Sequence, residues 1–218
     1  MLRWLTGESS HAGWPATLGP LRTAAGGVGL RPIRLRDAKT WSELRIRNQN
    51  TLLPWEPTGI GSWADRHQPS AWPPLYAVLK SEAKRGAVMP FVIELDGAYV
   101  GQLTVGNIQR GAVRTAWIGY WVDSDHFGRG IATAAVALGV DHCFGQVGLH
   151  RLDATVQPEN MASQAVLSKV GFRREGLLER YMDVNRRWRD HLLYALTAEE
   201  LVGSAAETLV RAGRAGFP

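Results

Sequence analysis

Residues 127 to 133, Phe-Gly-Arg-Gly-Ile-Ala-Thr, stand between a run of strand type, Trp117 to Val122, and a run with helical spacing that reaches Phe144. Asp123-Ser124-Asp125 breaks the chain between the two. A strand, a glycine turn and a helix aim free backbone N–H groups and the positive end of a helix dipole at one point, which is a geometry that binds phosphate. The chemistry this suggests is the holding of a nucleotide-like cofactor. A dinucleotide site would need a third glycine where Thr133 stands and an acidic residue closing the second strand, whereas Asp153 lies early in its strand. Glycines that only shape a turn are the plain alternative. They leave unexplained the small residues that follow, Ala132, Ala134, Ala135, Ala137 and Gly139, which permit close approach of a ligand or a strand.

A chain of 218 residues, 45% hydrophobic and 21% charged, has the composition of a globular protein able to bury a large core. Its one cysteine, Cys143, excludes an intrachain disulfide and reads as a small apolar helix residue. No apolar run is long enough to cross a bilayer and no leader-like segment opens the chain, so a cytoplasmic protein is expected. The net charge of +5 suits an acidic partner, but the arginines are spread and form no single block. No metal site is expected.

The elements that must position the loop follow in order. Residues 1 to 29, with Trp4, Trp14-Pro15 and Gly26-Gly27, read as an irregular arm with at most a short strand near Trp14 to Leu18. A domain of residues 30 to 212 follows. Leu30 to Arg36 alternates as a strand does, and Asp37 is an N-cap candidate for a helix from Ala38 to about Gln49. Thr51 to Pro74 is rich in Pro, Trp and Gly, and a second helix spans Leu75 to about Lys84. Phe91 to Leu95, Ala98 to Ile108 and Val113 to Val122, joined by Asp96-Gly97 and Gln109-Arg110-Gly111, predict an antiparallel meander. Leu149 to Val156 is a further strand, Asn160 caps a helix closed by Gly171, and Phe172 to Val184 with Trp188 to Leu196 form a last hairpin. Thr197 with Glu200 reads as the capping box of a C-terminal helix from Leu201 to about Arg211.

This order resembles the GNAT acetyltransferases between about Leu30 and Leu196. The carriers are Gly119-Tyr120-Trp121-Val122, the loop from Phe127 to Thr133, Asn160-Met161-Ala162-Ser163, Val170-Gly171-Phe172 with Glu175-Gly176, and Trp188-Arg189-Asp190-His191. The last set is closest to the RimJ and RimL branch, which acetylates the N-termini of ribosomal proteins. The resemblance implies an α+β fold, a central, mostly antiparallel sheet of about seven strands with four or five helices.

It also implies acetyl-CoA as the acyl donor. Phe127, Gly128, Arg129, Gly130, Ile131, Ala132 and Thr133 would hold its pyrophosphate, with Phe127 replacing the Arg or Gln that usually opens the motif. Trp121 and Val122 would pair with pantetheine at a splayed strand edge, and Asn160 would contact the coenzyme. The tyrosine that commonly protonates the thiolate is replaced by Leu167, and Ser163 takes that role in the branch resembled. Trp55, Glu56, Tyr120 and Tyr181 would line the acceptor site. The glutamate assigned in RimL-like enzymes as base falls on Met182, leaving Glu56, Glu94, Tyr181, Asp190 and His191 as candidates beside a water wire. An N-terminal amine, with a reference pKa of about 8, needs little help to lose its proton.

The acceptor implied is a protein or peptide N-terminus, such as that of a ribosomal protein, with no nucleic-acid or membrane contact required and with monomer and homodimer both open. A small amine, such as a polyamine or an antibiotic, is the alternative acceptor. An acyl-CoA-binding or RNA-binding module without catalysis is the alternative of another class.

Overall fold

The computed structural model describes residues 11 to 218. Its eight-stranded sheet has the order β1-β2-β3-β4-β5-β6-β8-β7. The strands are β1 (Leu18–Thr23), β2 (Gly26–Pro32), β3 (Val88–Leu95), β4 (Ala98–Gln109), β5 (Thr115–Val122), β6 (Arg151–Val156), β7 (Arg173–Val184) and β8 (Arg187–Thr197). Each neighbouring pair is antiparallel except β5 and β6. Helices cover both faces: α1 (Ala38–Arg47), α2 (Gln49–Leu52), α3 (Trp63–His67), α4 (Trp72–Lys84), α5 (Ile131–Gly145), α6 (Met161–Val170) and α7 (Ala205–Arg211).

β3 shows why two layers are needed. Its successive side chains alternate between faces. Met89, Phe91 and Ile93 pack into the large core around α5, whereas Val92 joins Ile33, Trp41 and Trp72 under α1 and α4. Both faces are therefore apolar, and the strand reads as a continuous apolar run. Small residues on α5 let it lie close to the sheet. A Cβ at Gly139 would come within 3.3 Å of Leu103 and 3.4 Å of Ile118.

The α+β expectation stands, with an eighth strand that the irregular arm had hidden. Residues 18 to 23 pair with β2 through a tight turn at Thr23 and Gly26. Trp14 packs edge-on against Phe91 at 5.0 Å, and His142 Nε2 lies 2.6 Å from Gly13 O, so residues 11 to 17 also lie on the core. The reading of Trp4 falls outside the described residues.

Two helix starts differ from expectation. Asp37 does not cap α1 with its side chain, because that carboxylate is taken by Arg31 and by the Arg34 N–H. The Thr197 and Glu200 box exists, yet it closes only a single turn at Ala198–Glu200. Gly203 interrupts it at φ +84°, and α7 begins later, capped by Ser204 and docked on Asp141, whose carboxylate accepts from Ala205 N and Ala206 N.

Candidate active site

The parallel pair that breaks the antiparallel order also opens a cleft. β5 pairs with β6 only from Thr115 to Trp117, while its pairing with β4 runs on to Val122. Beyond Trp117 the two strands part, and one edge of β5 is left free. The Asp123 N–H bonds to Val100 O on β4 at 2.8 Å. Alternation along the strand then turns the Trp121 backbone toward β4 as well, and presents the backbone of Tyr120 and Val122 at the open edge. Of the two residues expected at pantetheine, Val122 has its backbone at this open edge. Trp121 turns its backbone to β4, and its indole Nε1 donates to Gln102 Oε1 at 3.1 Å.

At the wide end of the cleft stands the glycine loop. Gly128 and Gly130 have φ of +73° and +82°, a left-handed backbone that glycine adopts without cost. A Cβ at Gly128 would meet nothing within 4 Å, so the front of the loop is open. Gly130 is the N-cap of α5, and the first helical bond runs from Ala134 N to Gly130 O at 3.0 Å. The N–H groups of Ile131, Ala132 and Thr133 precede that bond and point out of the helix end. Ile131 and Thr133 bury their side chains and offer only backbone, and Arg129 and Phe127 are exposed at the rim. The arrangement suits a polyphosphate ester whose thiol arm runs down the cleft.

Contacts from residues distant in sequence pin this loop. Asp123 is 1% exposed and receives Asn48 Nδ2 at 2.7 Å and the Arg47 guanidinium, while Asn48 Oδ1 accepts from Ser124 N at 2.8 Å. The turn is thereby fastened to the C-terminal end of α1. An Asn at a helix end and an Asp after a strand carry no pairing signal across 75 residues.

Asn160 caps α6 by accepting from Ser163 N at 3.1 Å, as its type and position predict. Ser163, half-buried, faces β5, where Tyr120 Oη lies 2.9 Å from its Oγ and 3.3 Å from its carbonyl oxygen. Tyr120, expected at the acceptor, thus turns its hydroxyl to Ser163. Burial raises its pKa above the ordinary value of 10, against the opposing effect of the Ser163 hydrogen bond. Leu167 is 1% exposed and belongs to the core.

Trp55 and Glu56, expected at the acceptor site, belong to a segment that the structure brings to the last hairpin. Pro57 bridges Val184, and Thr58 N donates to Asp183 O at 2.8 Å. Gln157, at the end of β6, donates to Pro54 O at 2.9 Å. The Trp55 segment therefore spans from the cleft to the tip of β7 and β8. Trp55 is partly exposed, and Tyr181 sits on a bulge of β7 with its ring 5.6 Å from His191.

Several candidate bases are already engaged. The Glu56 carboxylate binds the Arg45 guanidinium, Glu94 binds Arg31 at 2.7 Å, and Asp190 accepts from Arg180 N at 2.7 Å. His191 is buried, with Nδ1 3.1 Å from Arg189 O. Arg45 also lies between the rings of Trp63 and Trp121, at 4.8 and 5.2 Å, and donates to His67 Nε2 at 3.0 Å. His67 Nδ1 is 2.8 Å from Trp63 O, so it carries the proton and the ring is neutral.

Burial, with Arg45 beside it, lowers the His67 pKa from 6.5 to about 4. Since the unfolded chain binds this proton first, the stability from neutral His67 is complete above pH ~6.5 and is lost as pH falls toward ~4. Denaturant titrations at pH 7 and 4.5 are expected to differ by roughly 2–3 kcal/mol from this residue. A His67→Asn protein should lose that part of the slope, and an unchanged slope would refute it.

Residues 28–173 match the acetyltransferase (GNAT) domain family, and the chain belongs to this family of acetyl-CoA-dependent acyltransferases. Among individual proteins, it is similar to RimJ of Mycobacterium smegmatis in complex with CoA-disulfide. The two are 59% identical with a TM-score of 0.95, over 95% of this chain and 100% of that one. The [ribosomal protein uS5]-alanine N-acetyltransferase of Escherichia coli is 25% identical over 86% of this chain and 96% of that protein. The probable N-acetyltransferase YjcK of Bacillus subtilis is 43% identical over 101 residues, 46% of this chain and 56% of that relative. Among the described residues no cluster of side chains suits a metal ion, and no helix is long and apolar enough to cross a membrane.

Proposed function

We propose that the chain is a RimJ-type Nα-acetyltransferase, which moves the acetyl group of acetyl-CoA to the α-amine of a protein N-terminus of Ala or Ser type, such as that of a ribosomal protein. The observation that carries this reading is the cleft between β5 and β6, with three free amides of α5 at one end and the Ser163 hydroxyl on its wall. The full-length likeness to RimJ supports the acceptor class. Glu56 and Glu94, which could otherwise draw a polycation, are paired with arginines, which favours a peptide over a polyamine.

Acetyl-CoA supplies an acetyl thioester when bound. The amides of Ile131, Ala132 and Thr133 and the open loop at Gly128 hold its phosphates, with Arg129 adding charge at the rim. The free edge of β5 at Val122 takes the amides of its arm, and a strand N–H there can polarise the thioester carbonyl. Trp55 and Tyr181 flank the entry of the acceptor chain, and β7, at the edge of the sheet, can pair with its backbone. Ser163 donates a hydrogen bond to the sulfur as negative charge grows there.

On this reading Ser163→Ala lowers kcat about ten- to a hundredfold, ~1.4 to 2.7 kcal/mol of transition-state stabilisation, with little change in acetyl-CoA affinity. A serine that only completes the first turn of α6 would instead cost up to about 1 kcal/mol of stability and no rate. Thermal midpoint and thiol release, measured on one purified sample with an alanine-initiated peptide, decide the matter. A stability loss without a rate loss removes Ser163 from the chemistry.

A further inference from the structure

We propose that Tyr120 is a positioning residue for the thiolate donor: its phenolic hydrogen is given to Ser163, which holds the Ser163 hydroxyl hydrogen free and directed into the cleft. The inference rests on the functional reading above. Two atoms of Ser163 lie near Tyr120 Oη, the hydroxyl Oγ at 2.9 Å and the backbone carbonyl oxygen at 3.3 Å. A carbonyl can only accept, so the phenolic hydrogen lies on the Ser163 side, with Oγ as its nearer acceptor. If Ser163 were the donor, the phenolic hydrogen would be left with the longer carbonyl contact alone, whereas donation by the phenol to Oγ uses the shorter one. The phenol is also the more acidic hydroxyl, and burial keeps it protonated, so it remains a donor at working pH.

A hydroxyl that accepts a hydrogen bond becomes a stronger donor, the more so away from bulk water. The Ser163 O–H is then left for the cleft, since the Asn160 cap takes only the Ser163 backbone N–H. Leu167, one turn further along α6, is buried and apolar, so it offers no second hydroxyl beside that of Ser163. β5 supplies one instead, from 43 residues earlier in the chain. Its neighbour Val122 shares the same free edge, so a single strand would both hold the pantetheine arm and set the donor.

The chemical step stays balanced without ionising either hydroxyl. The amine nitrogen forms the amide bond, the carbon–sulfur bond breaks with its electron pair left on sulfur, and the amine proton passes to water. Ser163 and Tyr120 each keep their proton and share it through hydrogen bonds, so the thiolate is stabilised and not trapped.

The test uses CoA itself, bound to wild type, Tyr120→Phe, Ser163→Ala and the double variant. At one fixed pH, ultraviolet absorbance gives the ratio of thiolate to thiol in the bound coenzyme. Tyr120→Phe is expected to lower that ratio about three- to tenfold, Ser163→Ala at least as much, and Tyr120→Phe to add nothing once Ser163 is alanine. Turnover with acetyl-CoA should follow the same pattern in kcat, with KM unchanged. Equal effects of Tyr120→Phe in both backgrounds, or an unchanged ratio in folded Tyr120→Phe, would overturn the proposal. Failure of the wild type to bind CoA in calorimetry would be recognisably different, and would refute the functional reading and the Tyr120 role together.

Discussion

Gly130→Val is expected to weaken CoA binding at least a hundredfold, about 2.7 kcal/mol, while the protein still folds. Within the protein the new side chain has room, since a Cβ at Gly130 would meet only Thr23, at 3.9 Å. The cost to the fold is conformational: φ is +82°, where a β-branched residue loses roughly 1–2 kcal/mol. The cost to binding arises because the branched group stands directly before the three free amides of α5. Gly111, at φ +83° in the turn at the far end of β5, has nothing within 4 Å of an added Cβ and serves as control. Gly111→Val should show a similar loss of thermal midpoint with unaltered CoA affinity by calorimetry. Unaltered affinity in a folded Gly130→Val protein would mean that the phosphate site lies elsewhere.

Arg31→Met is expected to cost about 3–5 kcal/mol of stability, because it leaves a buried carboxylate without its counter-ion. Arg31 is 7% exposed, and its guanidinium meets both oxygens of Asp37, at 2.8 and 3.0 Å, and Glu94 at 2.7 Å. Without it, Asp37, 6% exposed, keeps the Arg34 N–H at 2.7 Å as its partner. The same ion pair joins β2 to the start of α1, the helix whose far end, Arg47 and Asn48, grips Asp123 beside the glycine loop. Urea titration measures the loss. Adding Asp37→Leu to Arg31→Met should restore much of it, because the uncompensated charge is removed. A loss below about 1 kcal/mol for Arg31→Met alone would show that water reaches this pair.

Where the site depends on backbone and local spacing, it could be read from the chain. Gly128 and Gly130 announced a turn before a small-residue helix, and Asn160 and Gly171 marked both ends of α6. The side-chain pairings that fasten the site were hidden because the partners are distant in sequence. Asn48 and Asp123, Arg45 and His67, and Tyr120 and Ser163 each belong to residue types that are ordinarily solvated or structural. The strap at Trp55 illustrates the same limit. Its aromatic and proline content suggested a segment folded over something, but only pairing across the chain joins Pro57 to Val184. β1 was missed for a different reason: Leu18 and Leu21 are three residues apart, across Gly19 and Pro20, where the pairing with β2 shifts register, so the two-residue alternation of a regular strand is lacking.

On the proposed reading an extended acceptor chain would lie between the Trp55 strap and the part of the β7 edge that the strap leaves open, and the decisive question is which nitrogen receives the acetyl group. The direct measurement uses a peptide with an N-terminal alanine and an internal lysine, incubated with acetyl-CoA and the enzyme. Fragmentation mass spectrometry locates the added acetyl group, with spermidine present as a competing acceptor. The account predicts acetylation at the N-terminal α-amine, with the lysine and spermidine unmodified. Acetyl on spermidine or on the lysine side chain, with the α-amine left free, would contradict it.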